Sequence, residues 1–477
     1  MPGDRPGSTS EPAVLAAWAQ AADYIALLLL IVAGTIALTG GFRTHIGSTS
    51  FSLSSPLRLV LWAAIVVAAR HAAMRRDPIH QHLSADFMSA IRSRPLRTAA
   101  AVVIVTRLVI LLAGYLAVLT IGYRPDSTPF RDFASELMNL PLRWDTGWYL
   151  QIARDGYSVA ADAGPNLQQN IVFFPAFPML VRVLGLIGGN SMASFVIAGT
   201  GAAVVLFGVA LGYLYRLARE SMSDDQATAV LWLLAAFPFA LFYGAIYTES
   251  LYLAGAIGTF YHFRKRQFVR AGLWGLIVGL TRPNGFFICA SLALLMIERR
   301  TTASGDRRRA PITPAALAAA AMPFAGVVLY SLFIAHLTGN PLAWAEGHAA
   351  WGRHYEGLTT LVTDRYDMIA RVGVIGYITY QPYDFLNALG VGLVLASVWP
   401  VTRRFGIAYS VFILINILPP LADGGLMSAG RFSSVLFPAF LWLGAAVPDR
   451  HRSGWIATFA ALQAFNAALF YTWRPLY

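Results

Sequence analysis

Apolar runs, many of them near the ~20 residues that cross a ~30 Å hydrocarbon layer, alternate along most of this chain with short loops carrying arginine. The pattern predicts about thirteen spans. They fall at 21–41, 57–74, 98–121, 192–215, 226–244, 250–263, 271–282, 284–297, 313–337, 383–399, 405–420, 431–447 and 455–471. The pair within 271–297 is interrupted by Thr281-Arg282-Pro283-Asn284-Gly285, and the span before the break is short. Two connections are long, 122–191 and 338–382. Both are aromatic rather than disordered in composition, which predicts short helices lying along the membrane surface. The expected fold class is all-α: one polytopic transmembrane helical bundle over 98–477, preceded at 1–97 by a two-span appendage and a loop. The first apolar stretch follows a polar leader and runs to about Gly40, too long for a signal-peptide core, and reads as a span.

Composition sharpens this picture. Of 477 residues, 57% are hydrophobic and 13% charged, against roughly 25% charged in soluble domains. A water-soluble globule is excluded. The net charge of +12 suggests nucleic acid only until its placement is read. The positive residues stand in short loops, as membrane orientation requires. One alternate set of loops holds Arg75 and Arg76, Arg92 to Arg97, Arg216 and Arg219, and Arg264 to Arg270. The set continues with Arg299 to Arg309, Arg403 and Arg404, and Arg450 and Arg452. The other side holds Arg43, Arg282, Arg431 and Arg474. The N-terminus is therefore expected in the cytoplasm and both long loops outside. Lys265 is the single lysine, an arginine bias that hints at a GC-rich bacterial genome, so the expected location is a bacterial plasma membrane. The single cysteine, Cys289, excludes an internal disulfide.

Candidate chemistry gathers on the non-cytoplasmic side. Leu142-Arg143-Trp144-Asp145-Thr146-Gly147-Trp148-Tyr149 opens a short helix in the first long loop. Asp145 is either the cap of that helix or a general base for a hydroxyl. Phe173-Phe174-Pro175 is either an aromatic turn or a wall for an isoprenoid chain. Glu249, in Tyr247-Thr248-Glu249-Ser250, sits in a very short outer turn, where a carboxylate at membrane depth marks function and one in water does not. Arg282 and Arg431 could hold a phosphate through paired N–H groups or could snorkel to the headgroups. Arg107, inside a span, needs an internal acceptor. His348, His354, Glu346, Glu356 and Asp364 share the second long loop without a compact ligand motif, so no divalent metal and no tightly bound cofactor is expected.

Arg143-Trp144-Asp145 with Trp148-Tyr149 and Gly156-Tyr157, then Phe173-Phe174-Pro175, resembles the PIG-V family, the GPI mannosyltransferase II family with many bacterial relatives. The Tyr247-Thr248-Glu249-Ser250-Leu251 and Arg282-Pro283-Asn284-Gly285 segments resemble further landmarks in the same order, and the likeness covers roughly 98–450. The resemblance implies a GT-C bundle with an extracytoplasmic active site. It implies polyprenyl-phosphate-mannose as donor, a glycolipid or other glycan as acceptor, and Asp145 as catalytic base. It departs from the eukaryotic pattern at Thr146-Gly147, and the first two spans have no clear counterpart. Arg143, Trp144, Trp148, Tyr149, Glu249, Arg282, Asn284 and Arg431 are the expected substrate contacts. The competing class is a transporter or lipid flippase, favoured only by the broken span at 281–285.

Overall fold

The computed structural model describes residues 17–39, 42–46, 49–53, 55–74, 93–159, 167–301, 307–309 and 311–476. It divides into two compact units, Met1–Ser93 and Arg94–Tyr477.

In the first unit, helices α1 (Ala17–Thr39) and α2 (Pro56–Ala73) are joined through an antiparallel pairing of Phe42–Ile46 with Thr49–Leu53. Pro56 stands at the first helical position, where its missing N–H costs nothing. The guanidinium of Arg70 grips the Asp23 carboxylate, with Nε 2.9 Å from Oδ1 and Nη2 donating to Oδ2 at 3.2 Å. Both side chains are buried, and charges buried between apolar helices need such a partner.

The second unit is a bundle of helices of unequal length. In chain order they are α3 (Arg94–Thr120), α4 (Thr146–Asp155), α5 (Ala176–Ile187), α6 (Met192–Ala218), α7 (Asp224–Ala236) and α8 (Glu249–Arg264). There follow α9 (Phe268–Gly279), α10 (Ile288–Ile297), α11 (Pro314–Thr338), α12 (Gly357–Tyr380), α13 (Pro382–Phe405) and α14 (Ile407–Gly424). α15 (Ala429–Ser434), α16 (Phe437–Ala446) and α17 (Asp449–Tyr471) complete the helices of six residues or more among the described residues. Among the described residues, five helices are long and apolar enough to cross a membrane: α2, α3, α6, α11 and α13. Most of the other expected spans are shorter or interrupted, while α17 has 23 residues but is less apolar. Residues 226–244 divide into α7 and a 3-10 turn, Ala240–Gly244, because Phe237-Pro238 cannot continue a helix. Residues 431–447 divide into α15 and α16 in the same way, before Pro438. Five of the about thirteen expected spans thus meet that length and apolarity, and the full count is not confirmed by the described helices.

Breaking a helix frees carbonyl groups that must be paired inside an apolar bundle. At the α7 break the donors come from far along the chain. Arg107 on α3 donates to the carbonyl oxygens of Ala240 at 2.5 Å and Ala235 at 2.9 Å. Gln463 and Asn466 on α17 donate to Ala235 and Pro238 at 3.0 and 3.1 Å. The acceptor that Arg107 needs is thus backbone exposed by a proline.

The break at 281–285 depends on close packing. α9 lies so tightly on α11 that a Cβ on Gly279 would come 1.9 Å from the Pro323 carbonyl oxygen, and one on Gly326 would come 2.6 Å from that of Leu276. Gly285 folds back so that its own Cβ would meet the Val278 oxygen at 2.3 Å. Only glycines let the chain reverse here, and the reversal presents Arg282 sideways into the bundle.

The ends of the bundle differ. At one, Arg94 pairs with Asp224 at 2.6 Å and Arg264 with Glu220 at 2.8 Å, joining the termini of α3, α6, α7 and α8. At the other stand the C-terminal ends of α3 and α17, the N-terminus of α8 and the loop before α4.

Candidate active site

Asn139 fixes the approach to α4: its side chain bonds both the N–H (3.0 Å) and the carbonyl oxygen (2.8 Å) of Phe133. Arg143 follows, wholly buried. Its Nε donates to the Tyr471 carbonyl at 2.8 Å, Nη1 to those of Asn139 and Leu142 at 2.6 and 2.9 Å, and Nη2 to the Tyr123 hydroxyl at 3.1 Å. With its donors occupied inside the protein, Arg143 does not line the cavity, where the sequence had placed it among the substrate contacts. Trp144 takes a left-handed backbone (φ +54°), uncommon for a bulky residue. Its indole N–H donates to the Phe470 carbonyl at 3.2 Å and its ring lies 4.9 Å from that of Trp473. Arg143 and Trp144 together clamp the last carbonyls of α17, and the turn they form delivers Asp145 outward.

Asp145 precedes α4, but its carboxylate makes no capping bond. Instead Oδ2 lies 3.2 Å from Arg431 Nη1, and the Asp145 backbone N–H donates to the Tyr247 hydroxyl at 3.1 Å. Arg431 Nε lies 3.3 Å from Glu249 Oε1, and the same oxygen pairs with Arg282 Nη2. Arg282 Nε donates to Thr248 at 2.7 Å. The Asp145 side chain retains 30% exposure, whereas that of Glu249 has none. Two carboxylates and two guanidiniums thus form one chain of charge, drawn from α4, α8, the 281–285 turn and α15. Tyr247 lies beneath the Arg431 guanidinium at 5.4 Å and Tyr252 beneath that of Arg282 at the same distance, adding cation–π attraction.

Asp145, Arg282 and Arg431 of this cluster line a cavity of about 880 Å³, and Glu249, expected as a substrate contact, lies buried behind them. Trp144, Trp148, Tyr149 and Asn284 line it as well. Trp148 stacks on Phe173 at 5.9 Å and meets Trp351 edge-on at 5.7 Å. Asn284 donates to Asn416 at 2.9 Å, and Tyr252 donates to the same oxygen at 2.8 Å, tying the turn to α14. Phe173 and Phe174 both reach the cavity, so the aromatic turn and the apolar wall are one feature.

Several lining residues were not singled out in the sequence. Arg353, Asp423, Phe470 and Trp473 all face the cavity. Trp473 ends α17 in a left-handed conformation (φ +61°), with Arg474 N–H bonded to the Leu469 carbonyl at 2.9 Å, a helix-ending motif that usually takes glycine. A non-glycine residue there is the signal, and only a structure displays it. Of the polar set in the second long loop, His348 lines the cavity and bonds the Trp344 carbonyl through Nδ1 at 2.8 Å. Burial lowers the His348 pKa. Glu356 and Asp364 line a second, polar cavity of about 350 Å³ beside the Arg365–Asp384 pair. Burial and the charge of Arg431 lower the Arg353 pKa to about 10, which leaves it a cation at neutral pH.

Residues 124–301 match the mannosyltransferase (PIG-V) family model. That stretch holds Arg143 to Tyr149, Glu249, Arg282 and Asn284, while Arg431 and Arg353 lie beyond it. No curated protein matches the chain. The chain is similar to solved structures of an oligosaccharyltransferase from Archaeoglobus fulgidus. One, a complex with Zn and sulfate, is 16% identical with a TM-score of 0.41, covering 77% of this chain and 53% of that one. A second, tethered to an acceptor peptide, is 13% identical with a TM-score of 0.42, covering 80% and 55%. A third, bound to an inhibitory peptide and a dolichol-phosphate, is 14% identical with a TM-score of 0.39, covering 80% and 56%. The chain thus spans about half the length of these solved relatives.

Proposed function

We propose that this chain is an integral membrane glycosyltransferase of the GT-C type. It moves a hexose, mannose by its family match, from a polyprenyl-phosphate carrier to a glycolipid or other glycan acceptor. The observation that carries the reading is Asp145: a partly exposed carboxylate on the wall of a large cavity, freed from capping and held by an arginine.

The transfer is a direct displacement with inversion. The acceptor hydroxyl loses its proton to Asp145, its oxygen bonds the anomeric carbon, and the bond from that carbon to the carrier phosphate oxygen breaks with its electron pair leaving on the phosphate. Arg431 holds Asp145 in place through Nη1 while Glu249 fixes Arg431 and Arg282. Their positive field favours the charge that grows on the departing phosphate. Trp144, Trp148 and Tyr149 offer ring faces for the sugar, and Phe173, Phe286 and Phe287 offer apolar wall for the lipid. The donor enters from the outer leaflet, and the first unit, residues 1–93, is an appendage to the transferase. The cavity stands at the end of the bundle away from the arginine-rich loops, an arrangement suited to chemistry at one leaflet rather than carriage across it.

The test is Asp145→Asn, assayed with purified protein, a labelled polyprenyl-phosphate-mannose and a membrane glycolipid extract. Proton removal contributes about 10²–10⁴-fold, so transfer should fall at least a hundredfold while the protein folds as before. More than a tenth of the wild-type rate would remove Asp145 from the base role.

A further inference from the structure

In the charge chain around Asp145, Arg431 is held by Glu249 and Asp145 and Arg282 by Glu249 and Thr248, while Arg282 Nη1 has no hydrogen-bond partner among the described residues. The cavity also holds a third guanidinium. Arg353 comes from the second long loop, half-buried, and its one hydrogen bond is a long contact of 3.4 Å to the Met427 carbonyl. Among the described residues no carboxylate lies within ion-pairing distance of it; Asp423 and Asp145 act on it only through space. Its guanidinium carbon is 5.3 Å from the centre of the Phe432 ring, and that of Arg431 is 5.5 Å from the same centre. Two cations sharing one ring repel each other, and an anion between or beside them relieves that repulsion. The same cavity carries Phe286, Phe287, Pro419 and Pro420, an apolar wall suited to a hydrocarbon chain attached to that anion.

We propose that Arg353, at the Phe432 ring beside Arg431, is a guanidinium that binds the phosphate of an isoprenyl phosphate in this cavity. The inference rests on the transferase reading for its place in a reaction, but it is a statement about binding and is tested as one. Arg353 contributes a paired-donor fork to the carrier phosphate, while Arg282 and Arg431 stay with their carboxylates. Its site lies beside the Arg431–Asp145 pair, so the phosphate left behind by the sugar is held near the group that takes the acceptor proton.

The experiment measures binding of citronellyl phosphate, citronellol and inorganic phosphate to the full chain in nanodiscs of zwitterionic lipid. Wild type, Arg353→Gln and Arg353→Lys are compared. Wild type is expected to prefer the isoprenyl phosphate to both other ligands. Loss of a charge-assisted pair of hydrogen bonds should weaken the isoprenyl phosphate at least tenfold in Arg353→Gln, with citronellol unchanged. The unchanged citronellol affinity reports an intact cavity. Arg353→Lys, which keeps the charge without the fork, should recover part of the loss. Equal binding of the isoprenyl phosphate by wild type and Arg353→Gln would overturn the assignment. So would equal wild-type affinity for inorganic phosphate, which would make the subsite one for a free anion, or for citronellol, which would make it apolar. If Arg353→Gln loses the phosphate selectively while wild type transfers no sugar to any acceptor, the binding inference stands and the transferase reading falls.

Discussion

Glu249 and Asp145 are both carboxylates facing arginines, yet their surroundings assign them different work. Glu249 has no exposed side-chain surface and answers two guanidiniums. Removing one partner of a buried ion pair costs about 3–5 kcal/mol, because the remaining charge stays desolvated. Glu249→Gln should therefore lower the thermal unfolding midpoint in detergent by several degrees, whereas Asp145→Asn, at the rim, should leave it nearly unchanged. Equal midpoints would show that Glu249 is not structural cement. His348 allows a second test at this scale. Burial favours its neutral ring, so its folded pKa lies below the ordinary 6.5. The stability it contributes is complete above pH 6.5 and is lost as pH falls from there through the lower folded value. The wild-type unfolding midpoint should drop across that window more steeply than that of His348→Gln, and parallel curves would refute the assignment. The residue types at 145, 249, 282 and 431 were legible in the sequence because charge is costly in an apolar chain. The fate of Arg143 was not, since its decisive acceptor lies 328 residues away at Tyr471. Arg353 hid among other polar loop residues for the same reason.

At the scale of elements, hydrophobic periodicity located the apolar segments but not where they stop being helical. Pro238 stood inside a span expected to run unbroken over 226–244, whereas Pro283 announced the other break. What the pattern omits is the pairing of the freed backbone, which Arg107, Gln463 and Asn466 supply from α3 and α17. The second break rests on the α9–α11 contact, and this makes a remote substitution informative. A methyl group on Gly279 would overlap the Pro323 carbonyl, forcing the helices apart just before Thr281 and Arg282. Overpacking of this kind typically costs 1–3 kcal/mol. Gly279→Ala should lower both the unfolding midpoint and the transfer rate. Gly201→Ala in α6 makes the control, because nothing lies within 4 Å of its added Cβ and alanine favours a helix. If the two variants behave alike in a paired melt and activity assay, the 281–285 turn does not depend on that contact.

Within the unit that begins at Arg94, helix direction ties together two features read separately in the sequence. α17 starts at Asp449, beside Arg450 and Arg452, and ends at Tyr471, whose carbonyl Arg143 holds. Its 23 residues rise about 33 Å at 1.5 Å per residue, close to the ~30 Å of a hydrocarbon core. α8 makes the reverse journey, from Glu249 at the cavity to Arg264 at the paired end with Glu220. The arginine-rich loops and the cavity therefore occupy opposite ends of the same helices, and a membrane that retains positive charge on its cytoplasmic side would place the cavity outside. Cys289 is the single cysteine, so Cys289→Ala provides a thiol-free background. Tyr355, exposed and lining the cavity, and Arg450, at the start of α17, then serve as reporter positions. A membrane-impermeant maleimide applied to intact cells should label Tyr355→Cys at once and Arg450→Cys only after permeabilisation. The opposite pattern would turn the cavity toward the cytoplasm, where soluble nucleotide sugars are at hand, and would remove the physical reason for a lipid-linked donor.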